Sequence, residues 1–158
     1  MSSYATVEEA DVYVKSHYVS TDSLRVTWEG LSEEDKQVLL NVATEAIDSL
    51  PWPGRKADIN QENAFPRYPD RDVPNDVIAA AIENAISSAD TASSEDVAMY
   101  QKMWAYGISS YSIGNLSETM GTASGNAGAR AGMASNGIVS LKAQTLLSKY
   151  MMGGYCIE

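Results

Sequence analysis

Few residues of this chain are of the kinds that do chemistry, and their spacing gathers none of them into a reactive set. The 158 residues include one histidine, His17, and one cysteine, Cys156. General-base catalysis needs an imidazole held beside a nucleophile, and nothing places a Ser or Cys with His17. It reads as a solvated or capping histidine near a helix end. One His and one Cys cannot build a nitrogen–sulfur metal site. Asp70, Asp72 and Asp76 offer oxygen ligands, but the central glycine and closing glutamate of a calcium loop are missing. The glycines at 121, 125, 128, 132 and 137 lack the Gly-Lys-Ser/Thr ending of a phosphate loop, so that tract reads as a flexible loop. Asn115-Leu116-Ser117 fits a glycosylation sequon, a match that is frequent by chance. The expectation is a non-enzyme with no catalytic residues, no metal and no cofactor.

Charge narrows the classes further. The net charge of −10 is uneven: residues 1–96 hold 19 of the 21 acids and carry −12, whereas residues 97–158 carry +2. Nucleic-acid affinity comes mainly from Lys and Arg neutralising phosphates, so this balance argues against a dedicated DNA or RNA binder. Arg55, Lys56, Arg67 and Arg71 form the one basic stretch. Asp58, Glu62, Asp70 and Asp72 interrupt it, and it reads as an ion-paired loop rather than a phosphate site. No apolar run approaches a membrane span, and early acids Glu8, Glu9 and Asp11 do not suit a signal peptide. With a single cysteine, the expected compartment is a reducing cytoplasm.

These residues need elements to hold them. Thr6-Val7-Glu8-Glu9 has the form of a capping box, and Val7, Ala10, Val14 and Tyr18 continue at helical spacing. Residues 19–31 read as a loop pinned by Trp28. Ser32 caps a second helix with the stripe Leu39, Val42, Ala43, Ala46, Ile47 and Leu50, stopped by Pro51 and Pro53. A third helix follows Pro74 through Val77/Ile78, Ala81/Ile82 and Ala85/Ile86, and its alanines imply close helix–helix approach. A short helix is expected from Asp96 to about Trp104, and a hairpin over 106–120 turning at Gly114-Asn115. The last helix runs from about Ser140 to Tyr150. The fold class is mainly α, a bundle of about four to five helices with a short β-hairpin and a Gly/Ala/Ser loop. One domain spans 1–158: a helical core of about 6–104, the hairpin, the loop 121–137, and a C-terminal helix and tail over 138–158.

Between the second and third helices lies Gln61-Glu62-Asn63-Ala64-Phe65-Pro66-Arg67. There Phe65 can anchor in the core, Pro66 restricts the backbone, and Arg67 supplies a fork of donors. Trp52, Gln61, Phe65 and Pro66 are the expected connector anchors.

Several pieces together resemble a known family, the head–tail adaptor (connector) proteins of tailed bacteriophages, which include relatives labelled DnaT-like single-stranded-DNA-binding proteins. They are Thr6 to Tyr13, Leu39-Leu40 with Ala43-Thr44 and Ala46-Ile47-Asp48, Trp52-x-Gly54-Arg55, Gln61-x-x-Ala64-Phe65-Pro66-Arg67, Pro74-x-x-Val77, Gly107 to Ser117, and Leu146-Leu147-x-x-Tyr150. The resemblance implies a structural virion protein at the phage neck, assembled in the host cytoplasm. It further implies a dodecameric ring that contacts the portal protein and a stopper or tail-completion protein. DNA would pass through such a ring without specific binding, and no membrane is involved. Arg67, Tyr111, Ile113, Leu116, Leu147, Tyr150, Met151, Met152 and Tyr155 are the proposed partner-binding residues. The alternative is a single-stranded-DNA-binding replication accessory protein, and it predicts salt-sensitive DNA affinity.

Overall fold

A computed structural model of the chain describes residues 2–92, 110–113, 116–119, 133 and 136–151. Helix α1 spans Val7–His17 and opens on a reciprocal cap. The Thr6 hydroxyl accepts from the Glu9 N–H at 3.2 Å, and the Glu9 carboxylate accepts from the Thr6 N–H at 2.9 Å. Two donors that the helix itself cannot satisfy are thereby paired. Ala10 and Val14, one turn apart, are fully buried.

The segment expected to be a loop contains a helix instead, α2 (Ser23–Glu29). Asp22 caps it by accepting from the Leu24 N–H at 2.9 Å. Leu24 and Trp28, four residues apart, then face the same core, with Trp28 completely buried. Seven residues give too short a run for periodicity to show, so tertiary burial of Trp28 decides the conformation.

Helix α3 (Glu33–Asp48) starts at Ser32, whose hydroxyl accepts from the Asp35 N–H at 3.1 Å. Its buried face runs through Lys36, Leu40, Ala43, Thr44, Ala46 and Ile47. The expected stripe was rotated slightly: Val42 is 50% exposed and Leu40, one residue from Leu39, is the one fully buried. Lys36 explains the shift, because its ammonium pairs with Asp11 at 2.9 Å and so occupies the inner face despite its charge.

Helix α4 (Asn75–Ala92) lies at the centre, packed against α2, α3 and α5 (Leu141–Met151). Its Val77, Ala80 and Ala81 enter one apolar cluster with Ile47, Phe65 and Leu147. Its Ile82, Ala85 and Ile86 enter a second with Val14, Trp28 and Leu40. Alanine on so much of this surface lets neighbouring helix backbones come close on both sides.

The fold is mainly helical, with five helices among the described residues. Ser110–Ile113 and Leu116–Thr119 run antiparallel, Ser110 opposite Thr119 and Ile113 opposite Leu116, with no further strand beside them among the described residues. The helical body contains no strand among its described residues, so a β-hairpin as a working component of the bundle is not supported. An independent sheet needs more than two four-residue strands. The expected helix at 96–104, most of the glycine tract and the tail after Met151 lie outside the described residues.

Candidate functional site

The connector between α3 and α4 is built from its carbonyls outward. Gln61 donates from Nε2 to the Asn63 carbonyl at 3.0 Å and to the Pro66 carbonyl at 2.8 Å. Arg67 spends its guanidinium in the same way, on the carbonyls of Pro53 at 2.9 Å, Gly54 at 2.6 Å and Ala64 at 3.2 Å. Phe65 is 3% exposed and meets the rings of Trp52, Tyr4 and Tyr150 edge-on at 4.8, 6.2 and 5.8 Å. Trp52 donates from Nε1 to the Ile47 carbonyl at 2.7 Å, joining connector to α3. The Phe65-Pro66 and Tyr68-Pro69 peptide bonds are both cis.

This frame presents Tyr68 outward, 61% exposed, with the Arg55 guanidinium 4.3 Å from its ring centroid. A cation over an aromatic face is attracted by the ring quadrupole, and the pair forms one flat, positively charged surface. Arg71 lies beside Tyr68 on an open hollow of about 480 Å³, which Gln61, Pro66, Asp58 and Asp70 also line. Arg71 is exposed and has no hydrogen-bond or ion-pair partner among the described residues. Lys56 donates to the carbonyls of Gln61 and Glu62 at 3.1 and 3.2 Å. The basic stretch is therefore held by carbonyls and a ring, which corrects the expectation of a loop closed by ion pairs. Arg55 and Arg71 keep donors free for a ligand.

A second polar cluster is internal. The Glu83 carboxylate, 1% exposed, accepts from the Tyr13 hydroxyl at 2.7 Å and from the Tyr18 hydroxyl, and pairs with the Lys142 ammonium at 2.5 Å. Burial raises the pKa of both phenols, and their hydrogen bonds to Glu83 raise it further. Lys142 also lies 5.6 and 5.1 Å from the Tyr13 and Tyr18 ring centroids. This cluster ties α1, α4 and α5 together, and Asn84 reinforces it by bonding Val139 N–H at 2.8 Å and the Gly137 carbonyl at 3.1 Å. The Glu83 carboxylate is buried and has three partners, so the cluster is a structural clamp.

The proposed partner residues are scattered. Leu147 is fully buried in the core, which removes it from any partner surface. Tyr150 and Met151 are half-buried against that core, because α5 turns its apolar face to α4. Arg67 is committed to connector carbonyls. Tyr111, Ile113 and Leu116 sit in the two paired segments, and Met152 and Tyr155 lie outside the described residues. His17 is exposed and stacked on Tyr13 at 3.9 Å. The residue that sequence reasoning missed is Tyr68. Its signal was an aromatic interleaved with arginines in Arg67-Tyr68-Pro69-Asp70-Arg71. Among the described residues no group of three or more His, Cys, Asp or Glu could hold a metal ion.

Fold and surface together define a small helical domain that offers an exposed cation–aromatic face on a rigid connector. The chain belongs to the family described as "Putative DnaT-like ssDNA binding protein", whose model matches residues 1–156. No curated protein and no solved structure matches it. The match corrects the head–tail adaptor reading, since the family reached is the DnaT-like one. With it go the virion connector role, the portal and stopper partners, the ring, and passage of DNA without binding. The pieces of the resemblance were mostly helix caps and apolar spacings, which report a helical bundle more than its partner.

Proposed function

We propose that the protein binds single-stranded DNA through the connector face. Tyr68 stacks on a base, and Arg55 and Arg71 meet the flanking phosphates. Membership of a family described as binding single-stranded DNA supports this reading. The observation that carries it to particular residues is the Arg55 guanidinium lying 4.3 Å from the ring centroid of an exposed tyrosine. Every base has a π-face, so an exposed ring binds single strands without sequence preference, and adjacent cations follow the backbone.

The acidic balance sets the scale. Arg67 and Lys56 are occupied, so Arg55 and Arg71 neutralise about two phosphates, which gives a salt slope of roughly −1.4 in log affinity against log salt. Binding is accordingly micromolar at low salt and mostly lost at high salt. Fluorescence anisotropy with a labelled oligo-dT, titrated at several salt concentrations, tests this. No measurable binding at low salt, or binding that Tyr68→Ala and Arg71→Ala leave unchanged, would refute it.

A further inference from the structure

Away from the connector, α1 and α4 border an open groove of about 640 Å³. Val12, Ile78, Ala79 and Ile82 supply its apolar surface, and Glu8, Glu9 and Asp76 its acidic rim. Val12 is 69% exposed, on the face of α1 opposite the buried Ala10 and Val14. The Tyr13 ring forms a wall because its hydroxyl is turned inward to Glu83. Glu8 has no hydrogen-bond or ion-pair partner among the described residues, whereas Asp76 is already paired with Lys149.

The spacing of these groups selects the shape of an occupant. Glu8 and Val12 are one turn apart on α1, and the partly buried Ile78 and Ala79 face them from α4. A trough bordered in this way takes the ridge of a third helix. Ala79 keeps the trough free of a long side chain. Charge selects the sign. The rim is acidic and residues 1–96 carry an excess of acids, so a basic helix is attracted and an acidic one repelled. We infer that this groove docks a basic amphipathic helix of a partner protein, by contacts separate from the DNA face.

The test uses the full chain and a fluorescein-labelled synthetic helix with a leucine face and a lysine face. A counterpart with glutamate for lysine is the control. The basic peptide is expected to bind with a micromolar dissociation constant, and the acidic one at least about tenfold more weakly. Val12→Asp adds negative charge, so mere electrostatic attraction would strengthen; docking in the groove weakens about tenfold instead, since an apolar contact is lost. Glu8→Lys weakens binding too, and both variants keep their oligo-dT affinity. Val12 and Glu8 are exposed, and circular dichroism checks that the variants fold. Equal binding of both peptides, or binding that neither variant changes, overturns the inference. So does a Val12-dependent dimer of the chain, which would assign the groove to a second copy. A tenfold gain in peptide affinity in a Tyr155→Ala, Ile157→Ser variant also overturns it, because the tail would then be the occupant.

Discussion

Arg55 lies over the ring of Tyr68 at 4.3 Å, and both belong to a connector in which a second arginine, Arg67, is bound to carbonyls. Two arginines twelve residues apart thus have opposite jobs. Arg67 holds the loop together, and Arg55 is presented with an aromatic surface. The difference follows from carbonyl supply, since the Pro53–Gly54 turn points its oxygens at Arg67 alone.

Replacing Tyr68 therefore separates function from folding. Tyr68→Ala is expected to weaken oligo-dT binding by about 1–3 kcal/mol and to leave thermal stability nearly unchanged, because the ring is exposed. Anisotropy and a melting curve on the same sample check both halves.

Arg67→Ala should do the reverse. Several connector carbonyls lose their donor, at a cost of about 1–3 kcal/mol in stability. Urea unfolding followed by circular dichroism reads this directly. Phe65→Ala is the harsher change in the same segment, about 3–5 kcal/mol, since it empties a site enclosed by three aromatic rings.

Glu83 is the most sensitive polar position. Glu83→Ala strands two phenol hydroxyls and the Lys142 ammonium, and is expected to cost about 3–5 kcal/mol. Lys142→Ala leaves the buried Glu83 carboxylate with its two phenol donors and no counter-charge, at a cost of about 1–3 kcal/mol, less than Glu83→Ala because the ammonium itself is half in water. Urea midpoints of the two variants should keep this order.

Burial raises the pKa of Tyr4, Tyr13 and Tyr18 above the ordinary 10.0, with hydrogen bonds to Asp48 and Glu83 adding to the effect. A raised folded-state value means that the neutral phenols stabilise fully below pH 10 and that this is lost as pH climbs further. Phenolate absorbance should show these three ionising only well above pH 10, with unfolding accompanying their ionisation.

Asp11 sets the acid limit in the opposite sense. Burial pushes its carboxyl up, but hydrogen bonds from Lys36 and Trp28 and the Lys36 charge together hold it below 3.8. Its stabilisation is present above that pH and is lost as pH falls through the lowered value. Asp11→Asn should flatten the acid side of the stability profile, measured by urea midpoints across that range.

Helices α1, α3, α4 and α5 were legible in the sequence through their apolar periods, with caps marking α1 and α3 and Pro74 the start of α4. Such signals act within a few residues, and local chemistry is enough to specify them. α2 was not legible, since seven residues around one tryptophan have no period to read. The candidate site was half legible. The basic stretch could be located, but not which of its arginines would be consumed by carbonyls. The Glu83 clamp was invisible, because Tyr13, Tyr18 and Lys142 come from positions about sixty to seventy residues away from it.

The sequence by itself determined a mainly helical chain with an acidic front and a connector between α3 and α4. Tertiary structure decided which polar groups are spent and which remain. A hydrogen bond to a carbonyl or a ring depends on where the backbone returns, and that is settled only when α3, α4 and α5 close around Phe65. Once closed, Arg67, Lys56 and Glu83 are satisfied internally, and the Arg55–Tyr68 face and Arg71 are left for a ligand.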